Sequence, residues 1–256
     1  MARFTDKVVV ITGGAGGIGI SAGQLFADEG AKVLLVDLDE QALGAAVDQI
    51  GSKQVSYCVA DVTQAQQVQR YVDTAVERYG AIDCFLNNAG VEGVLKPITD
   101  YPEDVFDNVI DVNLKGVWLG LKYVMPAMAA GGGGSIVITS SVAGVNGGPG
   151  LSAYVASKHA VIGLMRTASN EGAGSNVRVN TVNPSPVDTR MMRALEEFAA
   201  PGAAELARKK FEAGIPLKRY AEPKDVANIM AFLCSDEASF CTGGVYMVDG
   251  GSTSSR

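Results

Sequence analysis

The sequence has few of the side chains that usually bind metal ions. Its 256 residues include four cysteines and one histidine. The cysteines form no C-x-x-C pair, so a zinc site would have too few ligands at suitable spacing. We therefore predict no bound metal, and we interpret the cysteines as free thiols in a reducing compartment. The histidine, His159, is predicted to be structural or exposed.

Basic charge is also scarce. Lys and Arg number 21 against 28 Asp and Glu, which gives a formal net charge of −7. A nucleic-acid partner usually requires a basic face, and no run of basic residues stands out in the sequence. The composition therefore argues against nucleic-acid binding.

Long apolar stretches are missing as well. No run approaches the roughly 18 residues that a membrane-spanning helix needs. The first residues, MARFTDKVVVITGG, lead into a strand and contain neither the apolar core nor the cleavage site of a secretory signal. We expect a cytoplasmic protein without a membrane partner.

The composition that remains is that of a folded globular protein. Hydrophobic residues make up 47% of the chain and charged residues 19%, which separates it from disordered sequences. The length suits one large domain, predicted over residues 1–256. Six alternations of strand and helix, followed by a last strand, predict an α/β fold: a doubly wound, parallel, seven-stranded sheet with helices on both faces.

A glycine-rich turn follows the first predicted strand. Residues 8–12 (VVVIT) form a short apolar run that is typical of a strand buried on both faces. The turn TGGAGGIG comes next, then a helix over 20–29 and a second strand over 32–36 that ends at Asp37. Glycines let the backbone approach a pyrophosphate, and an acidic residue at this place accepts hydrogen bonds from ribose hydroxyls. Because Asp37 would repel a 2′-phosphate, the pattern favours NAD over NADP.

A tyrosine and a lysine lie four residues apart at the start of a predicted helix. Tyr154 and Lys158 would share one helix face, so the lysine ammonium could lower the phenol pKa toward neutral pH. A phenol tuned in this way could act as a general acid or base. Ser141, at the end of the preceding strand, could hydrogen-bond the same substrate oxygen. Taken alone, however, this spacing is also that of an ordinary helical pair.

The glycine spacing Gly13-x3-Gly17-x-Gly19 and the Tyr154-x-x-x-Lys158 pair together resemble the classical short-chain dehydrogenase/reductase family. The motifs agree with the family in order and spacing along the whole chain. The resemblance implies that Tyr154 is the general acid/base, Ser141 binds the substrate oxygen and Lys158 assists both tyrosine and cofactor. It also implies that Asn113, in DVNLKG, kinks a long helix over 102–128 and holds a water in a proton relay.

The same resemblance implies an NAD site formed from many short segments. Asp61 would bind the adenine amino group, although it or Thr63 could also cap the next helix. The segment N-N-A-G would pass along the nicotinamide. The implied cofactor-binding residues are Gly13, Gly17, Ile18, Gly19, Asp37, Leu38, Asp61, Val62, Asn88, Ala89, Gly90, Tyr154, Lys158, Val187 and Thr189.

The chain departs from the family pattern at one point. Where the family has N-P-G-x-V-x-T, this sequence has Asn183-Pro-Ser-Pro-Val-Asp-Thr189. Ser185 replaces glycine and Pro186 adds a residue without an N–H. The shape of this loop is left open by the sequence.

Residues 190–214 fall where the family has its substrate lid, with a break predicted at Pro201-Gly202. The predicted pocket walls are apolar: Val91, Val94, Leu95, Met191 and Met192.

We expect an enzyme that interconverts a secondary, apolar or cyclic alcohol and its ketone. The alternatives are a hydroxysteroid dehydrogenase, a 3-oxoacyl reductase, or a non-catalytic NAD-binding redox sensor. The resemblance further implies a homotetramer, and the C-terminal STSSR is expected to be frayed.

Overall fold

A computed structural model describes residues 2–254 of the chain. Its centre is a seven-stranded sheet in the order β3-β2-β1-β4-β5-β6-β7, with every neighbouring pair parallel. The predicted sheet is therefore confirmed. The strands are β1 (Val8–Thr12), β2 (Lys32–Asp37), β3 (Val55–Val59), β4 (Cys84–Asn87), β5 (Gly134–Thr139), β6 (Val177–Pro184) and β7 (Val245–Val248).

Helices cover both faces of this sheet. They are α1 (Gly17–Asp28), α2 (Glu40–Ile50), α3 (Ala65–Tyr79), α4 (Glu103–Ile110), α5 (Gly116–Ala130), α6 (Ser152–Gly172), α7 (Arg190–Ala199), α8 (Ala204–Gly214) and α9 (Pro223–Cys234). One core joins the sheet to α1, α2 and α9, and a second joins it to α3, α5 and α6. Successive residues of β1 alternate between them: Val9 and Ile11 enter the first core and Val10 the second. Burial on both faces explains why the strands read as unbroken apolar runs.

The long helix predicted over 102–128 is interrupted, as expected, around Asn113. A π-helical segment, Asp111–Lys115, separates α4 from α5, and the Gly116 N–H donates to the Asp111 carbonyl. This bond spans five residues instead of four, so one extra residue is accommodated. Asn113 lies in this segment and is fully buried.

The segment 190–214, hereafter the α7–α8 segment, consists of two helices separated at Pro201-Gly202, where the sequence predicted a break. A small separate core is formed by Met192, Leu195 and Phe211 of this segment together with Ile215 and Tyr220, which follow it in the chain. Met192 was predicted as a pocket wall, which is wrong, because its side chain is only 9% exposed and packs into this core.

Two local predictions are wrong. The N-cap of α3 is Gln64, without a side-chain capping bond, whereas the predicted cap, Thr63, binds the Asp61 carboxylate instead. The tail is also more ordered than expected up to residue 254. The Asp249 carboxylate accepts hydrogen bonds from the N–H and hydroxyl of Thr253. Residues 255 and 256, the rest of the predicted frayed tail, lie outside the described residues.

Within residues 2–254, no helix is long and apolar enough to cross a membrane. No group of three or more His, Cys, Asp or Glu side chains in that range could hold a metal ion. His159 is exposed, with Nδ1 3.0 Å from the Val155 carbonyl oxygen.

Substitution of Gly120 by alanine should destabilise the fold. A Cβ there would lie 2.7 Å from Asn87 Nδ2 and 3.0 Å from the Phe85 ring, because α5 packs closely on β4. Overpacking of this kind costs about 1–3 kcal/mol, more than the gain of roughly 1 kcal/mol from replacing a helical glycine. Denaturant unfolding of Gly120→Ala should show the loss. Gly44→Ala is the control, since a Cβ in α2 meets nothing within 4 Å, and it should be neutral or stabilising.

Candidate active site

The sheet order reverses between β1 and β4, and this reversal creates a crevice at the carboxyl ends of the strands. In the sheet, β2 and β3 lie on one side of β1 and β4 lies on the other. The helices that follow β1 and β4 in the chain therefore lie on opposite faces of the sheet. Ligands of doubly wound sheets bind at such a switch point. The glycine turn, Asp37, Asp61, the segment 87–90, Ser141 and the loop after β6 all meet at this edge.

The glycine turn is shaped by close backbone contacts. Gly13 has φ +64°, and a Cβ on it would lie 3.0 Å from the Ala89 Cα. A Cβ on Gly19 would lie 2.2 Å from the Gly13 carbonyl oxygen, and one on Gly17 would lie 3.0 Å from the Thr189 methyl. A Cβ is therefore disfavoured at Gly13 and Gly19 by the backbone, and at Gly17 it would press on the Thr189 methyl.

The amino end of α1 points into this crevice without a side-chain cap. Its N-cap residue is Gly16, which makes no side-chain capping hydrogen bond. The first N–H groups of a helix lack partners within the helix and carry a partial positive charge, so they suit a phosphate. Ile18 is half-buried in this first turn. The turn and helix thus fit the pyrophosphate of a dinucleotide.

Asp37 fixes the turn from the end of β2. Its Oδ2 accepts the Ala15 N–H at 3.1 Å and its Oδ1 accepts the Leu38 N–H at 2.8 Å. Leu38 itself is 69% exposed beside the crevice. The structure therefore places a carboxylate and an exposed apolar side chain where the sequence predicts the adenosine half of the cofactor.

Asp61 has a structural role at the start of α3. Its Oδ1 accepts from the Thr63 N–H at 2.9 Å and from the Thr63 hydroxyl at 2.8 Å. The Asp61 N–H in turn donates to Gln67 Oε1 at 2.9 Å. Val62 packs against α5, where a Cβ on Gly116 would approach its side chain to 2.9 Å.

Two threonines that the sequence reading missed connect the glycine turn to the neighbouring strands. The hydroxyl of Thr12 accepts the N–H groups of Asn88 and Ala89 at 2.9 and 3.2 Å. Asn88 donates from Nδ2 to the Thr12 carbonyl at 3.1 Å, and its Oδ1 accepts from the Thr139 hydroxyl at 3.0 Å. A hydroxyl residue at the end of an otherwise apolar strand was the available signal for both positions.

Ser141, Tyr154 and Lys158 lie together, as predicted. The Lys158 Nζ is 5.5 Å from the centroid of the Tyr154 ring and donates to the Thr139 carbonyl at 2.8 Å. The Ser141 hydroxyl accepts the Ala143 N–H at 3.1 Å. Ser140 points to the other side of the strand end, where its hydroxyl donates to the Lys158 carbonyl at 2.9 Å.

The electrostatics of the pair differ from the expectation in one respect. Lys158 is only 3% exposed, and this burial lowers its pKa to about 8. Burial also raises the pKa of Tyr154 above its usual value of 10; the nearby Ser141 hydroxyl opposes the shift and the Glu92 carboxylate adds to it. The predicted lowering of the Tyr154 pKa is therefore wrong for the protein alone, because the loss of solvation on burial outweighs the Ser141 hydrogen bond.

The Asn113 side chain makes three hydrogen bonds within the protein. Its Oδ1 accepts the Val91 N–H at 2.8 Å, and its Nδ2 donates to the Val91 carbonyl at 2.9 Å and to the Ser157 hydroxyl at 3.2 Å. The amide thus joins the loop after β4 to α6. A Cβ on Gly90 would lie 3.2 Å from Asn113 Oδ1 and 3.4 Å from Lys158 Nζ, so Gly90 leaves the space beside the lysine open.

The loop after β6, residues 185–189, is here called the β6 loop. Ser185 lacks a positive φ, so glycine is not required at this departure from the family pattern. The Pro186 carbonyl accepts the Ala221 N–H at 3.0 Å, and Val187 and Ala221 form a parallel bridge. The Thr189 hydroxyl donates to the Val187 carbonyl at 3.2 Å. Thr189 faces the glycine turn, since a Cβ on Gly17 would lie 3.0 Å from its methyl, and the Val187 side chain is buried in the core that includes α1 and α9.

Comparisons with known proteins agree with this site. The family model described as Enoyl-(Acyl carrier protein) reductase matches residues 13–253. Levodione reductase of Leifsonia aquatica is 39% identical over 253 residues, which cover 97% of this chain and 95% of that protein. The 3-oxoacyl-(acyl-carrier-protein) reductase FabG of Thermotoga maritima is 41% identical over 251 residues, covering 97% and 98%. Cyclohexanol dehydrogenase of Acinetobacter sp. is 37% identical over 255 residues, covering 98% and 97%.

Solved structures share the fold over nearly the whole chain. The crystal structure of levodione reductase has a TM-score of 0.96 at 38% identity, covering 99% of this chain and 100% of that one. The structure of NAD⁺-bound xylitol dehydrogenase has a TM-score of 0.91 at 33% identity, covering 97% and 100%.

The sheet topology, the glycine turn and these relatives define the chain as a Rossmann-type oxidoreductase. Within that class, the match over residues 13–253 and the identities of 37–41% are decisive. The chain belongs to the classical short-chain dehydrogenase/reductase family.

Replacing Lys158 by methionine should change how stability depends on pH. The amine has a pKa of about 8 in the fold against 10.5 for an ordinary lysine. Between these values the unfolded chain binds more protons, so the stability contributed by Lys158 rises with pH. We expect wild type to gain about 2–3 kcal/mol relative to Lys158→Met between pH 7 and pH 10, measured by urea unfolding.

The matched control for this experiment is Lys53→Met, which removes an exposed lysine. Its stability difference from wild type should stay constant over the same pH range. A constant difference for Lys158→Met as well would show that the Lys158 amine is solvated in the folded protein.

Proposed function

We propose that the protein is an NAD-dependent dehydrogenase that interconverts a secondary alcohol and its ketone. The observation that carries this proposal is the placement of Tyr154, Ser141 and Lys158 together at the switch point, beside the glycine turn. A proton-transfer group and a dinucleotide cradle at one crevice suit hydride transfer coupled to proton transfer. The named relatives, which are dehydrogenases and reductases, support the same chemistry.

In this proposal, side chains of the protein bind the substrate oxygen and transfer the proton. The substrate oxygen would accept hydrogen bonds from Ser141 and Tyr154, and the phenol would deliver a proton to a ketone or remove one from an alcohol. The bound nicotinamide would supply or accept the hydride. Lys158, fixed by the Thr139 carbonyl, would bind the ribose hydroxyls and replace the proton that Tyr154 gives up. Asn113 would support the proton relay by holding the π-helical segment in place, because its side-chain amide is already hydrogen-bonded to the Val91 backbone.

The residues that would hold NAD fit a dinucleotide on the geometry described above. The glycine turn and α1 would bind the pyrophosphate, Asp37 and Leu38 the adenosine ribose, and Asp61 and Val62 the adenine. The nicotinamide half would lie along Asn88, Ala89 and Gly90 toward Val187 and Thr189. The NAD⁺-bound state of the xylitol dehydrogenase relative supports a nicotinamide dinucleotide. We propose NAD rather than NADP because Asp37 would repel a 2′-phosphate.

For the substrate we propose an uncharged cyclic alcohol or ketone. Val91 and Leu95 lie on the loop after β4, and a Cβ on Gly150 would come within 2.8 Å of the Leu95 side chain. The loop after β4 thus contacts the glycine-rich loop before α6, and in this proposal Val91 and Leu95 would line the substrate pocket. Cyclohexanol dehydrogenase is named for a cyclic alcohol, which supports this class.

A 3-oxoacyl group on a carrier protein is the second candidate. It is favoured by the 41% identity to the Thermotoga maritima reductase. An acyl carrier protein is acidic, and docking it normally requires basic residues on the partner. The net charge of −7 speaks against that partner.

We further propose that the protein is cytoplasmic, that the α7–α8 segment is a substrate lid and that the chain forms a homotetramer. Trp118 and Phe106, on α5 and α4, are 46% and 39% exposed. Large aromatic side chains on a helix surface are common at subunit interfaces. Their exposure supports association through these helices.

The test of the activity is formation of NADH by the purified protein. Secondary, cyclic and steroid alcohols and a 3-hydroxyacyl thioester would be supplied with NAD⁺ or NADP⁺. Turnover of cyclic alcohols with NAD⁺ would support the proposal, and preference for the thioester with NADP⁺ would support the second candidate. Binding of NAD without any turnover would favour a redox sensor.

Tyr154→Phe should abolish turnover while NAD binding stays close to that of wild type. The substitution removes the proton-transferring hydroxyl and keeps the ring, so kcat should fall by about 10²–10⁴-fold. Tyr79→Phe is the control, because its hydroxyl contacts Ser56 far from the crevice. Full activity in Tyr154→Phe would rule out the proposed acid/base.

Asp37→Asn should relax the choice of cofactor. The amide keeps an oxygen that can accept the Ala15 N–H but loses the charge that opposes a 2′-phosphate. The ratio of kcat/KM for NADP⁺ to that for NAD⁺ should rise by about 10- to 100-fold. Asp39→Asn removes a neighbouring charge that caps α2 and should leave the ratio almost unchanged. An equal rise in both variants would indicate a general charge effect instead of a specific contact.

A further inference from the structure

One carboxylate connects the β6 loop to both helices of the α7–α8 segment. Asp188 Oδ1 is bonded to Arg193 of α7, and Asp188 Oδ2 accepts from Arg208 Nη2 of α8 at 2.8 Å. The residues on either side of Asp188 in the chain are Val187 and Thr189, which are proposed to contact the nicotinamide. Asp188 is therefore the covalent neighbour of the cofactor contacts and the ionic partner of the lid.

The Asp188 backbone is itself fixed. Its N–H donates to the Ala221 carbonyl at 2.9 Å, and the Ala221 N–H donates to the Pro186 carbonyl at 3.0 Å. With the main chain held on both sides, the carboxylate has a defined position. The two arginines are thus aligned against a rigid element of the main fold.

Both arginines are also held from their outer sides. Arg193 Nη1 donates to Glu196, which is 2% exposed, at 3.0 Å. Arg208 Nε donates to Glu212 at 2.9 Å, and its guanidinium lies 5.0 Å from the centroid of the Tyr220 ring. Along this network the charges alternate in the order Glu196, Arg193, Asp188, Arg208 and Glu212. Removal of the Asp188 charge therefore leaves the two arginines without their shared partner.

These ion pairs are poorly suited to a purely stabilising role. The side chains of Asp188 and Arg193 are 38% and 45% exposed, and exposed ion pairs contribute little to stability. Apolar side chains of the α7–α8 segment pack in a small core that is separate from the two cores of the sheet, so the ion pairs to the β6 loop contribute to the orientation of the segment. The Asp188 carboxylate, shared by both arginines at this junction, sets the position of α7 and α8 relative to the β6 loop.

We propose that Asp188 is a positioning residue that couples occupation of the nicotinamide subsite to the placement of the lid helices. The proposal rests on the proposed function, since it assumes that the β6 loop contacts the nicotinamide. Coupling is reciprocal: a cofactor that fixes the loop fixes the lid, and a detached lid weakens binding of the cofactor's nicotinamide half. Binding of the adenosine half should not depend on Asp188.

The test compares NADH with ADP-ribose, which lacks the nicotinamide. For Asp188→Asn we expect NADH affinity to fall by about tenfold, within the usual range of coupling between sites, while ADP-ribose affinity changes by less than about twofold. Trypsin cleavage at Lys209 and Lys210, which are exposed on α8, should be slowed by NADH in wild type and much less in the variant. Circular dichroism would verify that the variant is folded.

Two further variants sharpen the result. Glu212→Gln removes the other carboxylate on Arg208 but leaves the tie to the β6 loop, and it should behave as wild type. Asp188→Glu restores the charge and should recover NADH protection at least in part. Equal losses for NADH and ADP-ribose, or unchanged protection by NADH in Asp188→Asn, would overturn the proposal. Failure of wild type to bind either ligand would instead overturn the proposed function, and the inference with it.

Discussion

A continuous chain of hydrogen bonds across the carboxyl ends of β1, β4 and β5 holds the site together. Asn88 donates to the carbonyls of Thr12 and Gly13 and accepts from the Thr139 hydroxyl. The Thr139 carbonyl in turn accepts from Lys158. The position of the lysine is therefore tied to the glycine turn through two strands, and neither can move without breaking buried hydrogen bonds. Because leaving such groups unpaired is costly, this network fixes the distance between the phosphate cradle and the proton-transfer group.

The burial that makes this network rigid also sets its electrostatics. Loss of solvation favours the neutral form of each group, so the pKa of Tyr154 rises and that of Lys158 falls to about 8. Near neutral pH the pair is therefore a phenol beside a mostly protonated amine. In the proposed reaction, a phenol of this kind would give its proton to a ketone, and the amine beside it would replace that proton. Removal of a proton from an alcohol would require the phenolate, which becomes easier to form as the pH rises.

Much of the fold could be predicted from the sequence because the strands are buried on both faces, and because glycine and proline mark where helices and strands end. The apolar run 8–12, the glycine turn and Pro201-Gly202 mark their structures locally. What could not be predicted depends on partners distant in the chain. Thr12 and Thr139 acquire their roles by meeting Asn88, and Met192 is buried by the residues around it. Thr63 was expected to cap a helix but found the Asp61 carboxylate instead. The Tyr154 pKa was mispredicted for the same reason, since sequence spacing reveals a neighbouring charge but not the degree of burial.

The departure at Ser185-Pro186 shows how a loop can keep its position without its usual glycine. Ser185 has no positive φ, its N–H donates to the Val248 carbonyl at 3.2 Å, and the next residues pair with Ala221. The loop thus bends on either side of a single parallel bridge to Ala221, a backbone that serine and proline can both adopt. Pro186 lacks an N–H, but it is the Pro186 carbonyl that accepts from Ala221, so the missing donor breaks no bond in this pairing. These hydrogen bonds hold the backbone that carries Val187, Asp188 and Thr189 in place. That rigidity allows one stretch of backbone to face the cofactor site and hold the α7–α8 segment at the same time.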